Sequence, residues 1–305
     1  LIQYNEFPDS WKDTLNHICY ANRNGIKTTG QVGSRPIGVL MGFNTSVNPF
    51  SSHEAWQKIK HLSNKERNNI IKEDINIRNS LINDVPDNSH IKWVQNTFSL
   101  TYLLKEPLNY EPTKEMSINS IASKLNKKPW EIILDHFTSS DNDEFLMHTF
   151  ENYTHNSLDV IAEMLESKYT ICGVGDAGAH VATICDASYP TFMVPFWSRD
   201  RKRGKLLNLE YLVSKQTLKT AQTYGLLDRG ALIKGMRADI NIIDYDNIGL
   251  TKPCLTYDLP AGGKRLIQKS RGYDHTFVKG IEVSQNGEFT GQLPGKLIRG
   301  NQSIN

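Results

Sequence analysis

The sequence predicts an α/β chain that turns mostly β after about Leu226. Three observations carry this. Ile118, Ile121, Ala122 and Leu125 recur at helical spacing. Lys168–Val174 is an apolar run of strand length. After Leu226, short alternating runs (Ala238–Asp244, Arg265–Ser270, Thr276–Val278, Ile281–Val283) are separated by the turn pairs Gly262–Gly263, Lys279–Gly280 and Asn286–Gly287. The shift divides the chain into two domains, 1–225 and 226–305.

Taken in order, Asn16–Arg23 reads as the end of a helix that Gly25 stops, and Lys27–Val32 as a weak strand. Arg35–Phe50 is rich in Gly, Asn, Ser and Pro and is expected to be a long loop over a site. Ser51–Leu81 is polar and helical, with Ser52 as its cap and Trp56, Ile59, Leu62, Ile70 and Ile71 as a loose apolar stripe. Ile91–Leu104 contains strand-like pieces. Ser117 caps the next helix, and Pro129 opens another that carries Ile132, Ile133, Leu134 and Phe137. Phe145–Phe150 reads as a strand, Ser157–Glu166 as a helix capped by Asn156 or Ser157, and Leu207–Leu226 as a helix ending at Gly225.

Composition narrows the function. The 305 residues carry a formal charge of +2, which argues against a nucleic-acid wrapper. With 38% hydrophobic and 22% charged residues the chain can form a core. The four cysteines (Cys19, Cys172, Cys185, Cys254) show no CxxC spacing, so zinc ribbons and disulfide scaffolds are not expected. No apolar run reaches the ~18 residues of a membrane helix. Leu1–Ser10 lacks signal-peptide character, and a cytoplasmic location is expected. A natural chain begins with Met, so the start is expected to be missing.

The chemistry concentrates at Gly173–His180, GVGDAGAH, which follows the apolar strand. It contains G-x-G-x-x-G, but a dinucleotide site needs an apolar helix to open inside the motif, and Asp176 puts a negative charge where a pyrophosphate would sit. The competing reading is a strand-end carboxylate at the mouth of a sheet or barrel, where catalytic groups gather. Asp176 is then a general base or metal ligand, with His180 lining the site. A purely structural reading makes Asp176 a cap and His180 a core histidine.

GVGDAGAHVATICDASYPTF followed by WSRDR resembles the segment around the active-site aspartate of the N-acyl-D-amino-acid deacylase (D-aminoacylase) branch of the amidohydrolase superfamily. YGLLDRGALIKGMRADINIID, DLPAGGKRLIQKSRGY, GEFTGQLPGKLIRG, GQVGSRPIGVLMGF and NPFSSHEAW are similar to the same branch. The resemblance implies a metal-dependent (β/α)8 barrel with a small β-sandwich subdomain. It implies hydrolysis of the amide of N-acyl-D-amino acids by water activated on zinc or another divalent metal, with Asp176 moving the proton. Family sites use an H-x-H pair, yet none of the nine histidines here is spaced that way. The chain is therefore expected to be the C-terminal half of such a barrel, inactive alone, binding no stoichiometric zinc and associating with a chain that supplies the missing half.

Arg199 and Arg201, in a basic run with Lys202, Arg203 and Lys205, are candidates to hold the substrate carboxylate. Arg35 is a further substrate-binding candidate, which either lines the site or braces the loop. A solvated loop is the bland alternative for the run. Cys185 stands beside Val181 and Ile184, which favours an inert buried thiol over a nucleophile. The expected partner is a small-molecule N-acyl amino acid, not nucleic acid or membrane. A cyclic-amide hydrolase and a non-catalytic binding subunit are the alternatives, ahead of a nucleotide-dependent oxidoreductase.

Overall fold

The computed structural model describes residues 1–173, 175, 178 and 180–303. Helix α1 (Ser10–Arg23) buries Trp11 and Ile18 and stops before Gly25, whose φ of +81° suits glycine. Strands β1 (Gly30–Val32) and β2 (Ile37–Met41) follow. The loop expected over Arg35–Phe50 is therefore interrupted, because Val39, Leu40 and Met41 are buried as a strand. The polar stretch after it is three helices, α2 (Glu54–Ile59), α3 (Asn64–Glu73) and α4 (Ile75–Asn83). The cap expected at Ser52 falls at His53, without a side-chain bond. The strong caps are Ser63, which forms a capping box with Glu66, and Asp74.

Helix α5 (Ser89–Asn96) replaces the strand pieces expected from Ile91. Asn88 caps it, and Ile91 and Val94, three apart, are buried. Strand β3 (Thr101–Leu104) follows. Helices α6 (Ile118–Leu125), capped by Ser117, and α7 (Pro129–Phe137) stand where their spacing predicts. Next come β4 (Phe145–Glu151), α8 (Asp159–Glu166) and β5 (Thr170–Cys172). Helix α9 (Tyr189–Pro195) continues into a π-helical turn, Phe196–Asp200. Helices α10 (Leu209–Ser214) and α11 (Thr220–Thr223) are joined by a second π-helical turn. Among the described residues no helix is long and apolar enough to cross a membrane.

From there on, the described regular elements are strands and one 3₁₀ turn: β6 (Ile240–Ile243), β7 (Gly249–Leu250), β8 (Cys254–Leu259), β9 (Gly263–Ile267), β10 (Ser270–Arg271), β11 (Tyr273–Val278), β12 (Ile281–Gln285) and β13 (Glu288–Phe289). Both residues of Lys279–Gly280 and of Asn286–Gly287 have positive φ, the requirement of tight two-residue hairpins. The four-stranded sheet β13-β12-β11-β6 is antiparallel.

The α/β class holds, but the succession of parallel strands expected of a half barrel does not appear among the described residues. Among the described strands, parallel pairing is confined to β1 with β5, apart from an isolated bridge between Leu226 and Gln302. The larger sheet of the α/β part, β2-β4-β3, is antiparallel, with β4 running back between its neighbours. Alternation along these strands builds two cores. Leu40, Tyr102, Leu104, Phe145 and Met147 join Ile161, Leu165, Phe192 and Trp197 on one side. Val39, Met41 and Leu146 join Trp56, Ile71, Ile118, Trp130 and Ile133 on the other.

A buried ion pair ties the first core to its loops. The Arg201 side chain is 0% exposed. It donates to Glu111 through Nε at 3.1 Å and Nη2 at 2.8 Å, and to Asp159 at 2.7 Å. Glu111 also accepts from the Leu158 N–H at 2.8 Å.

Removing one member of a buried pair strands the other. Arg201→Ala is expected to lower unfolding free energy by about 3–5 kcal/mol, read from denaturant midpoints. Lys202→Ala, exposed next to it, should shift it by no more than about 0.5 kcal/mol; equal losses would remove the pair's special weight. The buried histidines make a second expectation. Burial holds the His53 and His148 imidazoles down to about 4, below the ordinary value of about 6.5. The unfolded chain then binds these protons more readily, so stability is complete above about 6.5 and is lost as pH falls toward 4. Urea midpoints across that window should fall, and a His53→Leu, His148→Leu double variant should reduce the slope.

Candidate active site

Strands β1 and β5 end side by side, with Val32 paired to Cys172 and the Gly173 N–H donating to the Val32 carbonyl at 2.9 Å. The loops that follow leave from one edge. An added Cβ at Gly173 would stand 2.7 Å from Oε1 of the exposed Gln31, whose side chain would have to move. At Gly175 it would stand 3.2 Å from the Asp186 carbonyl oxygen, so this loop passes against Asp186. Asp176 itself lies outside the described residues. His180 is exposed at a φ of +46°, and its carbonyl accepts from the Thr183 N–H at 2.9 Å and the Ile184 N–H at 3.1 Å. The helix that a dinucleotide fingerprint requires is α9, and it opens only at Tyr189.

Arg35 stands three residues beyond β1. Its side chain is 5% exposed, and its guanidinium lies between the rings of Tyr110 and Tyr189, 4.5 and 4.7 Å from their centroids. Nη1 donates to Gln268 Oε1 at 3.2 Å, and Nη2 to Asp186 Oδ1 at 3.3 Å and the Cys185 carbonyl at 3.5 Å. Gln268 also accepts from Ser188 Oγ at 2.6 Å and donates to Tyr110 Oη at 2.7 Å. A small pocket beside this network is lined by Arg35, His148, Thr149, Thr183, Cys185 and Asp186. The bonds Arg35 makes to oxygen, at 3.2–3.5 Å, are longer than the about 2.7–2.9 Å of strong charge-assisted bonds. Sequence reasoning missed Tyr110 and Gln268. Gln268 is 233 residues from Arg35, and no local pattern links them.

The basic run is committed elsewhere. Arg199 is bidentate to Asp200 at 2.7 and 2.9 Å, and donates to the Tyr245 carbonyl and, at 3.0 Å, to that of Ile248. Arg201 is held by Glu111 and Asp159. Arg203 donates to the carbonyls of Glu111 at 3.0 Å and Asn156 at 2.7 Å. These arginines tie chain segments together, which is neither a solvated loop nor a free carboxylate clamp.

The described residues do not fit the zinc, or other divalent metal, that the resemblance implies. No group of three or more His, Cys, Asp or Glu among them is placed to hold an ion. His136 Nε2 meets the Phe145 carbonyl at 2.9 Å, His148 Nδ1 meets Thr101 Oγ1 at 3.2 Å, and His53 packs between Phe50 and Trp130.

A model of the amidohydrolase family matches residues 109–283. Two proteins of Alcaligenes xylosoxydans xylosoxydans are similar: an N-acyl-D-glutamate deacylase, 32% identical over 105 residues, and an N-acyl-D-aspartate deacylase, 35% identical over 104. Each match covers 34% of this chain and 19% of the relative. A crystal structure of D-aminoacylase overlays with a TM-score of 0.36 and 21% identity, over 63% of this chain and 36% of that one. A second D-aminoacylase structure, from work on that enzyme's binuclear metal centre, gives 0.33 and 18% over the same shares. The chain thus spans well under half the length of the proteins it matches. The family model and the two deacylases agree with the resemblance read from the sequence.

Burial pushes the Cys185 thiol up, with Asp186 adding to the effect and Arg35 opposing it; burial likewise pushes Cys172 up to about 11. Both therefore stay as thiols near neutral pH, which disfavours a cysteine nucleophile. Cys254 is exposed. Mass-resolved alkylation of the native protein at pH 7.5 should tag Cys254 well before Cys172 and Cys185; early tagging of Cys185 would contradict its burial.

Proposed function

The chain belongs to the amidohydrolase family, and we propose that the protein hydrolyses the amide bond of N-acyl-D-amino acids with an acidic side chain. The observation that carries this reading is the Arg35 network at the paired ends of β1 and β5, where Gly175 passes against Asp186. The curated relatives, deacylases of N-acyl-D-glutamate and N-acyl-D-aspartate, support the substrate class. Their activity is proposed for the protein as a whole, since the matched stretch is 19% of their length.

In this reading Arg35 holds a substrate carboxylate. Its planar fork suits that geometry, and the flanking tyrosine rings keep it flat and shield it from water. Gln268 and Asp186 set the fork's orientation. Asp176 takes a proton from the attacking water and returns it to the leaving amine. The products are a free carboxylate and a free amino acid. A cytoplasmic location, and an architecture in which this chain is the C-terminal half of a (β/α)8 barrel followed by a small β-sandwich subdomain, remain part of the proposal.

The test, made on the whole protein because residues 1–305 alone are expected to be inactive, is release of free amino groups from N-acetyl-D-glutamate and from its L enantiomer, with and without added zinc. Release from the D form alone supports the reading, and equal or absent release in every condition overturns it. Asp176→Asn keeps size and removes the proton acceptor, so kcat is expected to fall about 10²–10⁴-fold. Arg35→Lys keeps charge but loses the fork, and should raise KM more than it lowers kcat.

A further inference from the structure

A cleft of about 850 Å³ is lined in part by Tyr110 but not by Arg35, and the function proposed above does not use it. Three segments far apart in sequence wall it. They are the loop Glu106–Glu111 after β3, the α9 helix with its π-helical continuation, and the Ile248–Leu250 stretch with Arg271 from the β-rich part. Its volume is within the range of small-molecule sites, and such sites favour junctions of this kind. Phe192 and Phe196, stacked at 4.5 Å, with Leu108, Pro195 and Leu250, give it an apolar wall.

The charge is one-sided once internal pairs are removed. Of the three acids in the lining, Asp200 is taken by Arg199 and Glu111 by Arg201. That leaves Glu106 against Lys202, Arg203 and Arg271. Among the described residues none of these three cations has a carboxylate at ion-pair distance. Arg203 donates to backbone carbonyls, and so does Arg271, to Asn247 at 3.2 Å and Leu250 at 3.3 Å. Gly249 leaves the room that Arg271 occupies, since an added Cβ would stand 3.2 Å from its Nη2.

We propose that this cleft binds an amphipathic carboxylate, with the apolar chain along Phe192 and Phe196 and the carboxylate facing Lys202 and Arg271. A fatty acid and an N-acyl amino acid share that chemistry. The site is separate from Arg35, and its occupancy needs no turnover.

The experiment is calorimetric titration of the whole protein with octanoate, octanol, acetate and N-octanoyl-D-glutamate. Octanoate should bind more tightly than octanol, which lacks the charge, and than acetate, which lacks the chain. Its affinity should fall as salt rises. Lys202 and Arg271 are exposed, so Lys202→Glu and Arg271→Glu should fold and should each weaken octanoate about tenfold or more while leaving octanol unchanged. Tighter binding of the acyl amino acid than of octanoate, weakened by both charge reversals in the cleft, points to that source, and the reverse order to a fatty acid. Octanoate binding no tighter than octanol, insensitive to salt, or unchanged by both charge reversals overturns the proposal. Because binding is read without catalysis, failure of the deacylase assay leaves this result interpretable, and failure here leaves that assay untouched.

Discussion

The pairing of Arg201 with Glu111 holds together what the strands alone do not. It joins the end of the α9 segment to the loop after β3, and through Asp159 and the Leu158 N–H to the start of α8. Two charges taken out of water are costly unless every donor and acceptor finds a partner. Here the guanidinium has two carboxylates and the Lys205 carbonyl, and lies over the Trp197 ring at 4.9 Å. The loop so anchored carries Tyr110, which forms one face of the Arg35 sandwich and one wall of the large cleft.

A second constraint comes from the antiparallel sheet. Because β2, β4 and β3 bury both faces, the helices α2–α7 pack on one side and the β1–β5 pair with α8 and α9 on the other. Arg35, between β1 and β2, is therefore placed at the seam of the two layers. Gln268 reaches that seam from the β-rich part and satisfies Arg35, Ser188 and Tyr110 at once. The site is thus assembled from both parts of the chain.

Much of the local structure was legible because its causes are local. Ser117 accepts from Ser120 N, three residues on, and Pro129 opens α7, whose first turn needs no amide hydrogen there. Where the reading of elements failed, burial had overruled composition. Ile37–Met41 lies among loop-forming residues yet pairs with β4, and Tyr189–Pro195 forms a helix despite two prolines because six of its seven residues are buried. The basic run looked like a free clamp for the same reason: a sequence shows charges without their partners.

The sequence by itself determined the α/β class, the change to short strands after Leu226, the hairpin turns and the family, since capping, periodicity, turn chemistry and motif spacing act over a few residues. Only the tertiary structure decided that Arg201 is a buried tie, that Arg35 is buried against Asp186, and that Tyr110 and Gln268 stand against it. Those outcomes depend on contacts between residues far apart in the chain, up to 233 positions for Arg35 and Gln268. Such contacts follow from how the sheet and its layers pack, and no local pattern encodes them.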